Sequence, residues 1–300
     1  METPVEYPPA IEALTERARR AIRVVLGDSY SPAIFILGAT PRSGTVYAGE
    51  LVRLHTDVSA YPNQLWEVPF LRGIGPLLQH QADFFQAYKL NRSRMGANDL
   101  VGLYAASLLA YLQSFIPAGK RMLVKDTALD YLPYFPVLFP SEFAVILLRD
   151  GRDTVHSTLR TWPNRYTFPE VCERWNKNAR LALDFSTACR NESRYWLVHY
   201  EDVLADPNAF VTELCRRFEL APERYPFDRI DTVEVLGSST LVSPGAVDWN
   251  PTPRPPEFQP TRHWTTWTRG QREQFAEIAG DTLLEASYCA DMDWVTDNPH

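Results

Sequence analysis

The apolar run Ala33 to Leu37, which leads directly into Gly38-Ala-Thr-Pro-Arg-Ser-Gly-Thr45, constrains this chain more than any other stretch. Five consecutive apolar residues cannot alternate between core and water, so they predict a strand covered on both faces. The glycine-containing loop ends the strand, and Val46 to Leu54 resumes with helical spacing. Strand, loop and helix in that order open an α/β fold that binds phosphate groups. Backbone N–H groups of such a loop, and the positive end of the helix after it, face an anion. Gly44 allows close backbone approach, and Thr45 offers a hydroxyl as well as an N–H.

The rest of the chain continues the alternation. Asp57–Tyr61 reads as a short extended piece, and Met122–Val124, Phe143–Leu148 and Trp196–Val198 as strands. Residues 10–26, 98–116, 168–190, 208–218 and 270–286 have helical patterns, with Asn98 or Asp99 as a cap, and Trp66 and Glu67 fall on a loop and helix. This alternation predicts an α/β fold with a central parallel sheet flanked by helices, as one domain over residues 1–300. Residues 236–268, rich in Gly, Ser and Pro, interrupt it and read as a lid or substrate loop.

Composition narrows the function. Apolar residues make up 45% of the chain, enough for a sizeable core. With 30 basic against 37 acidic residues the formal charge is −7, which disfavours a general nucleic-acid binder but leaves room for a local anion site. No apolar window long enough for a membrane span exists, and the first 20 residues lack a leader's apolar stretch, so a cytoplasmic location is expected. The oligomeric state cannot be read from the sequence. Cys172, Cys189, Cys215 and Cys289 form no CxxC pair, so no zinc site is expected.

The loop differs from the nucleoside-triphosphate form GxxxxGK[ST]. Its glycines are one residue further apart, and Thr45 stands where the lysine belongs. The cation is Arg42, which suits an anionic group bound without a metal. A phosphate-loop kinase or NTPase, with Asp126 or Asp150 as metal ligand, remains an alternative, as does a non-catalytic nucleotide-binding protein.

Four segments resemble the sulfotransferases that use 3′-phosphoadenylyl sulfate (PAPS). TPRSGTVY at 40–47 resembles their 5′-phosphosulfate loop. LLRDGRDTVHS at 147–157 resembles their 3′-phosphate motif, an arginine at a strand end and a serine eight residues later. LVKDT at 123–127 is similar to the lysine-bearing strand end, and LVHYEDVLADP at 197–207 to the family's VRYEDL segment. RHW at 262–264 resembles the late GRW segment. The resemblance implies a phosphate-loop-like sulfotransferase fold, PAPS as co-substrate, adenosine 3′,5′-bisphosphate (PAP) as product, and no metal.

It also implies roles for residues. Arg42, Ser43, Gly44, Thr45 and Val46 would hold the 5′ end of the donor, and Arg149 and Ser157 its 3′-phosphate. Tyr200 would stack on or bond near the adenine, and Arg262 would add a late contact. Arg42 and Lys125 would stabilise charge at the transferring group, although Lys125 could also pair with Asp126 or another carboxylate. Members with a PRSGT loop use a glutamate after an HPDV-like segment. LHTDV at 54–58 followed by Glu67 therefore makes Glu67 the expected base, with His55 as rival. The apolar neighbours Trp66, Val68, Pro69 and Phe70 would enclose that carboxyl. The acceptor, a small molecule, carbohydrate or lipid, would lie against Trp66, Phe70, Phe84, Phe85, Tyr88, Trp249 and Phe258, with Trp264 and Trp267 packing the lid.

Overall fold

The structure, a computed structural model, describes residues 11–60, 67–87, 90 and 94–296. Five strands make one parallel sheet: β1 (Ile34–Gly38), β2 (Val58–Ala60), β3 (Arg121–Asp126), β4 (Phe143–Leu148) and β5 (Tyr195–His199), in the order β2-β3-β1-β4-β5. The main helices are α1 (Glu16–Leu26), α2 (Thr45–Arg53), α3 (Gly75–Ala87), α4 (Asp99–Gln113), α5 (Gly151–Thr161), α6 (Phe168–Ala188), α7 (Tyr200–Ala205), α8 (Pro207–Arg217) and α9 (Arg269–Glu285).

The continuous apolar runs have a direct cause. Phe35, Leu37, Ala144, Ile146 and Leu148 face a core shared with α1, α4, α6 and α9. Ile34, Ile36, Val145 and Leu147 face the opposite core, shared with α2 and α8. Successive strand residues point to opposite faces, so a sheet covered on both sides needs apolar residues at every position.

Three local expectations are corrected. Asn98 stands at the start of α4, but its amide donates to the Glu12 carbonyl at 2.7 Å and does not cap the helix. The Asp99 carboxylate accepts the Thr15 N–H at 3.0 Å and hydroxyl at 2.7 Å, and the Gly96 N–H at 3.0 Å, tying α1 to α4. Glu67 is not helical: it lies in an extended bridge beside Lys125, ahead of a single helical turn at Phe70–Gly73 and of α3. Tyr61 and Trp66 lie outside the described residues.

All four cysteines are free thiols. Among the described residues no helix is long and apolar enough to cross a membrane, and no group of three or more His, Cys, Asp or Glu is placed to hold a metal ion.

Candidate active site

Functional side chains gather at the carboxyl ends of β3, β1 and β4, which are adjacent in the sheet. The chain leaves β1 toward β2 on one side, and β4 lies on the other. Such a switch point opens a crevice beyond the strand ends. Lys125 is paired opposite Ile36, while Arg149 follows β4 directly. Their strands flank β1 at a separation of ~10 Å, two strand spacings.

The β1–α2 loop is folded by its own residues. Ser43 donates its hydroxyl to the Thr40 carbonyl at 2.7 Å and accepts the Thr40 N–H at 3.1 Å, so that hydroxyl is committed inside the loop. Gly44, with φ at 86°, caps α2, and a Cβ there would run into the Tyr200 ring. Thr45 and Val46 open α2, so their N–H groups have no partner within the helix and face the crevice end. Arg42 also adopts a left-handed conformation, with φ at 74°.

That turn sends the Arg42 guanidinium across to α5. Its Nε donates to Ser157 Oγ at 3.1 Å and its Nη2 to the Gly237 carbonyl at 2.6 Å. Arg149 donates from Nη1 to the Arg42 carbonyl at 2.7 Å and from Nη2 to the Pro260 carbonyl at 2.5 Å. The buried Arg149 Nε has no hydrogen-bond partner among the described residues. Burial, and then the neighbouring Arg149 charge, lower the Arg42 pKa to about 10, so it remains a cation at neutral pH. Two guanidinium groups thus share a small space in which their bonds run to carbonyl and hydroxyl oxygens.

The β4–α5 turn is held from behind. Asp150 caps α5 by accepting the Arg152 N–H at 2.8 Å. The Trp175 indole donates to the Arg149 carbonyl at 3.0 Å, and its ring lies where a Cβ on Gly151 would stand. Tyr200 is buried beneath both cradles, facing Gly44 on one side and lying 5.2 Å from the Arg149 guanidinium on the other.

The third element is a pair. Lys125 Nζ lies 3.1 Å from Glu67 Oε1; the lysine side chain is 6% exposed and the glutamate 53%. The Val68 N–H donates to the Lys125 carbonyl at 2.9 Å, which registers the Glu67 segment against β3. The expected apolar enclosure of Glu67 is absent. Its carboxyl is open on one side and held by a lysine on the other.

His55 lies at the opposite rim. The segment after it pairs Val58 with Arg121, the first residue of β3, whereas Lys125 is ~13 Å further along that strand. His55 Nδ1 accepts the Asp57 N–H at 3.0 Å, and Nε2 faces the Ala221 carbonyl at 3.0 Å. Both ring nitrogens serve the fold there.

The irregular stretch 236–268 lies over the arginines. Besides Gly237 and Pro260, Ser239 Oγ is 2.9 Å from Ser157 Oγ. Arg160 donates to the Ser239 carbonyl at 2.6 Å and the Val242 carbonyl at 2.9 Å. Asp153 accepts the N–H groups of Arg262 and His263, both at 2.7 Å. Arg262 thus engages through its backbone, and its side chain is exposed. Asp153 and Arg160 were not singled out from the sequence, yet a signal existed. They share one helix face with Ser157, at i, i+4 and i+7.

The aromatic residues expected to line the acceptor divide. Phe70 is buried in the core, and Phe85 is buried edge-on to Phe84. Trp249 is exposed beside Gly237, and Phe258 lies near Arg254. Trp267 packs in the core on Phe168 and Phe275, while Trp264 lies over Arg152. Tyr88 is outside the described residues.

A parallel sheet with a phosphate-type loop after β1 and a second cationic turn after β4 is an α/β arrangement with two anion-attracting turns side by side at the strand ends. The model of the sulfotransferase family matches residues 32–224, and this chain belongs to that family. Over 201 residues it is 22% identical to the protein-tyrosine sulfotransferase of Drosophila melanogaster, covering 65% of this chain but only 39% of that one. Its fold is similar to the sulfotransferase domain from the Synechococcus PCC 7002 olefin synthase, with a TM-score of 0.50 and 19% identity over 82% of this chain and 94% of that one. It is similar also to mouse sulfotransferase SULT7A1 complexed with PAP, with a TM-score of 0.50 and 11% identity over 94% of each chain.

Proposed function

We propose that this protein transfers a sulfuryl group from PAPS to a hydroxyl or amine of a small-molecule, carbohydrate or lipid acceptor. The observation that carries the reading is the meeting of Arg42, Arg149 and Ser157 across two crossover turns, beside the Lys125–Glu67 pair. The fit to the donor is physical. Arg42 and Arg149 are close cations bonded to neutral oxygens, and a buried Arg149 Nε has an unused hydrogen. A phosphate dianion offers the charge and the acceptor oxygens that such a site lacks.

Arg149 and Ser157, with Arg42 beside them, would hold the 3′-phosphate. The N–H groups at Gly44, Thr45 and Val46 would hold the 5′ end. Ser43 shapes that loop, Arg262 orders the strap above it, and Tyr200 supports both cradles from a position near the adenine side. PAPS supplies, when bound, a sulfuryl group already activated by its bond to phosphate. Lys125 Nζ is fixed by burial and by Glu67, so it can meet charge developing on the leaving oxygen without reorganising. The half-exposed Glu67 carboxylate can accept the proton of an incoming hydroxyl. A tyrosyl hydroxyl is a second acceptor reading, favoured by the named activity of the fly relative.

Incubation with radiolabelled PAPS and a panel of alcohols, sugars, lipids and a tyrosine-containing peptide tests this. Labelled product and stoichiometric PAP are expected, at a rate that EDTA leaves unchanged. Tight PAP binding without transfer to any acceptor would support a non-catalytic nucleotide binder. Tighter binding of ATP–Mg²⁺ than of PAP would support the kinase alternative.

A further inference from the structure

Behind the β4–α5 turn lies a second set of buried ionisable groups. Asp150 and Glu201 are carboxyls joined through one backbone group, the Asp150 N–H donating to Glu201 Oε1 at 3.1 Å. Asp150 has a cation of its own. Arg152 reaches both its oxygens from Nε, at 3.1 and 3.2 Å, and Oδ2 from Nη2 at 2.7 Å. Arg152 is in turn held over the rings of Trp264 and Trp294.

Glu201 has no such partner. Its Oε2 is buried without a hydrogen bond among the described residues, and so is the hydroxyl of Tyr288 near it. Two neighbouring carboxylates in a desolvated space cannot both be ionised cheaply. Burial raises Asp150 too, but there the Arg152 ion pair opposes it. Glu201 is therefore the group that takes the proton. Burial, with the Asp150 charge adding to it, pushes the Glu201 carboxyl up to about 7 against the opposing Asp150 N–H. The titratable and charged groups facing this corner are Asp150, Arg149 and Arg152 from the turn, Tyr288 from the C-terminal segment, His199 from the end of β5 and Asp202 from α7.

We propose that Glu201 is a proton-linked positioning residue for the nucleotide: its carboxyl holds the turn that aims Arg149, and its ionisation weakens that turn's grip on an anion. This rests on the reading of Arg149 and Ser157 as the 3′-phosphate site. A neutral Glu201 keeps the bond to the Asp150 N–H and leaves the Arg149 charge unopposed. An ionised one adds a negative charge directly behind the phosphate. By linkage, binding the nucleotide then draws a proton onto Glu201.

The test is the PAP affinity of the wild-type chain and of Glu201→Gln across pH 6 to 8. Taking the ratio at each pH cancels the ionisation of PAP itself. The two proteins should bind alike near pH 6, and the wild type should be roughly fivefold or more weaker by pH 8. Tyr288→Phe, which keeps the carboxyl and removes only the neighbouring unbonded hydroxyl, should retain the wild-type pH dependence. A constant ratio between the wild type and Glu201→Gln, or loss of the pH dependence in Tyr288→Phe, would overturn the proposal for Glu201 while leaving the nucleotide site intact. A wild-type chain that binds no PAP at any pH would overturn the site and the proposal together.

Discussion

The arginine cradle and the Glu67–Lys125 corner sit two strands apart and are built on opposite plans. In the cradle each polar side chain is anchored by another group, with the Arg149 Nε donor left over among the described residues. Ser43 is locked into its own loop, Arg42 into Ser157 and Gly237, and Arg149 into Arg42 and Pro260. At the corner, one buried lysine meets one half-exposed carboxylate through a single contact. Under the proposed function the difference matches two tasks. A site that recognises a fixed nucleotide with two phosphate groups gains from preorganisation, since groups already ordered cost little more to order on binding. A base that receives acceptors must keep one side open.

Substitutions should therefore separate the two regions. Glu67→Gln should lower turnover by roughly 10²- to 10⁴-fold while leaving PAP affinity nearly unchanged. Steady-state transfer assays beside PAP titration decide this, and full activity would move the base elsewhere. Lys125→Ala should cost about 10²- to 10³-fold in turnover, with a smaller effect on PAP binding. If its affinity fell as far as its rate, the corner would belong to the cradle. Arg149→Ala should reverse the pattern, weakening PAP by about 10- to 100-fold, the scale of a charge-assisted contact. An unchanged dissociation constant would remove Arg149 from the site.

A smaller effect concerns stability. Burial raises both Asp126 and Glu201 to about 7, above the range of carboxyls in an unfolded chain. The native state then binds more protons than the unfolded state up to that pH, so these groups lower stability as pH rises through 7. His55, His156 and His199 are shifted down by burial, and their opposing contribution is still being gained up to about one pH unit above the unfolded value near 6.5. Between pH 6.5 and 8 the net loss should be about 0.5–1 kcal/mol, read from urea unfolding. Glu201→Gln should remove most of it. A flat or rising profile would show that the two carboxyls are not held protonated.

Legibility in the sequence followed the same division. The cradle could be read because its parts are local: a strand, a glycine turn and a helix lie within about 20 consecutive residues, and RDGRDTVHS repeats the arrangement. The sheet was readable because strands covered on both faces leave no polar position to confuse the pattern. What escaped were contacts closed by distant chain. The Asp153 and Arg160 clamps on residues 239–263 depend on where an irregular strap falls, which no periodicity encodes. The Glu67 setting was misjudged because its flanking aromatic residues suggested enclosure, whereas pairing with Lys125 keeps that segment extended at the sheet edge. The aromatic acceptor wall divides for a related reason: Phe70 and Phe85 are buried inside the fold, while Trp249 stays exposed.

The most direct measurement is a crystal structure of the chain with adenosine 3′,5′-bisphosphate. One phosphate is expected on the N–H groups of residues 44–46, and the other between Arg149 and Ser157 with Arg42 alongside. A nucleotide bound anywhere else, with those two turns empty, would contradict the account.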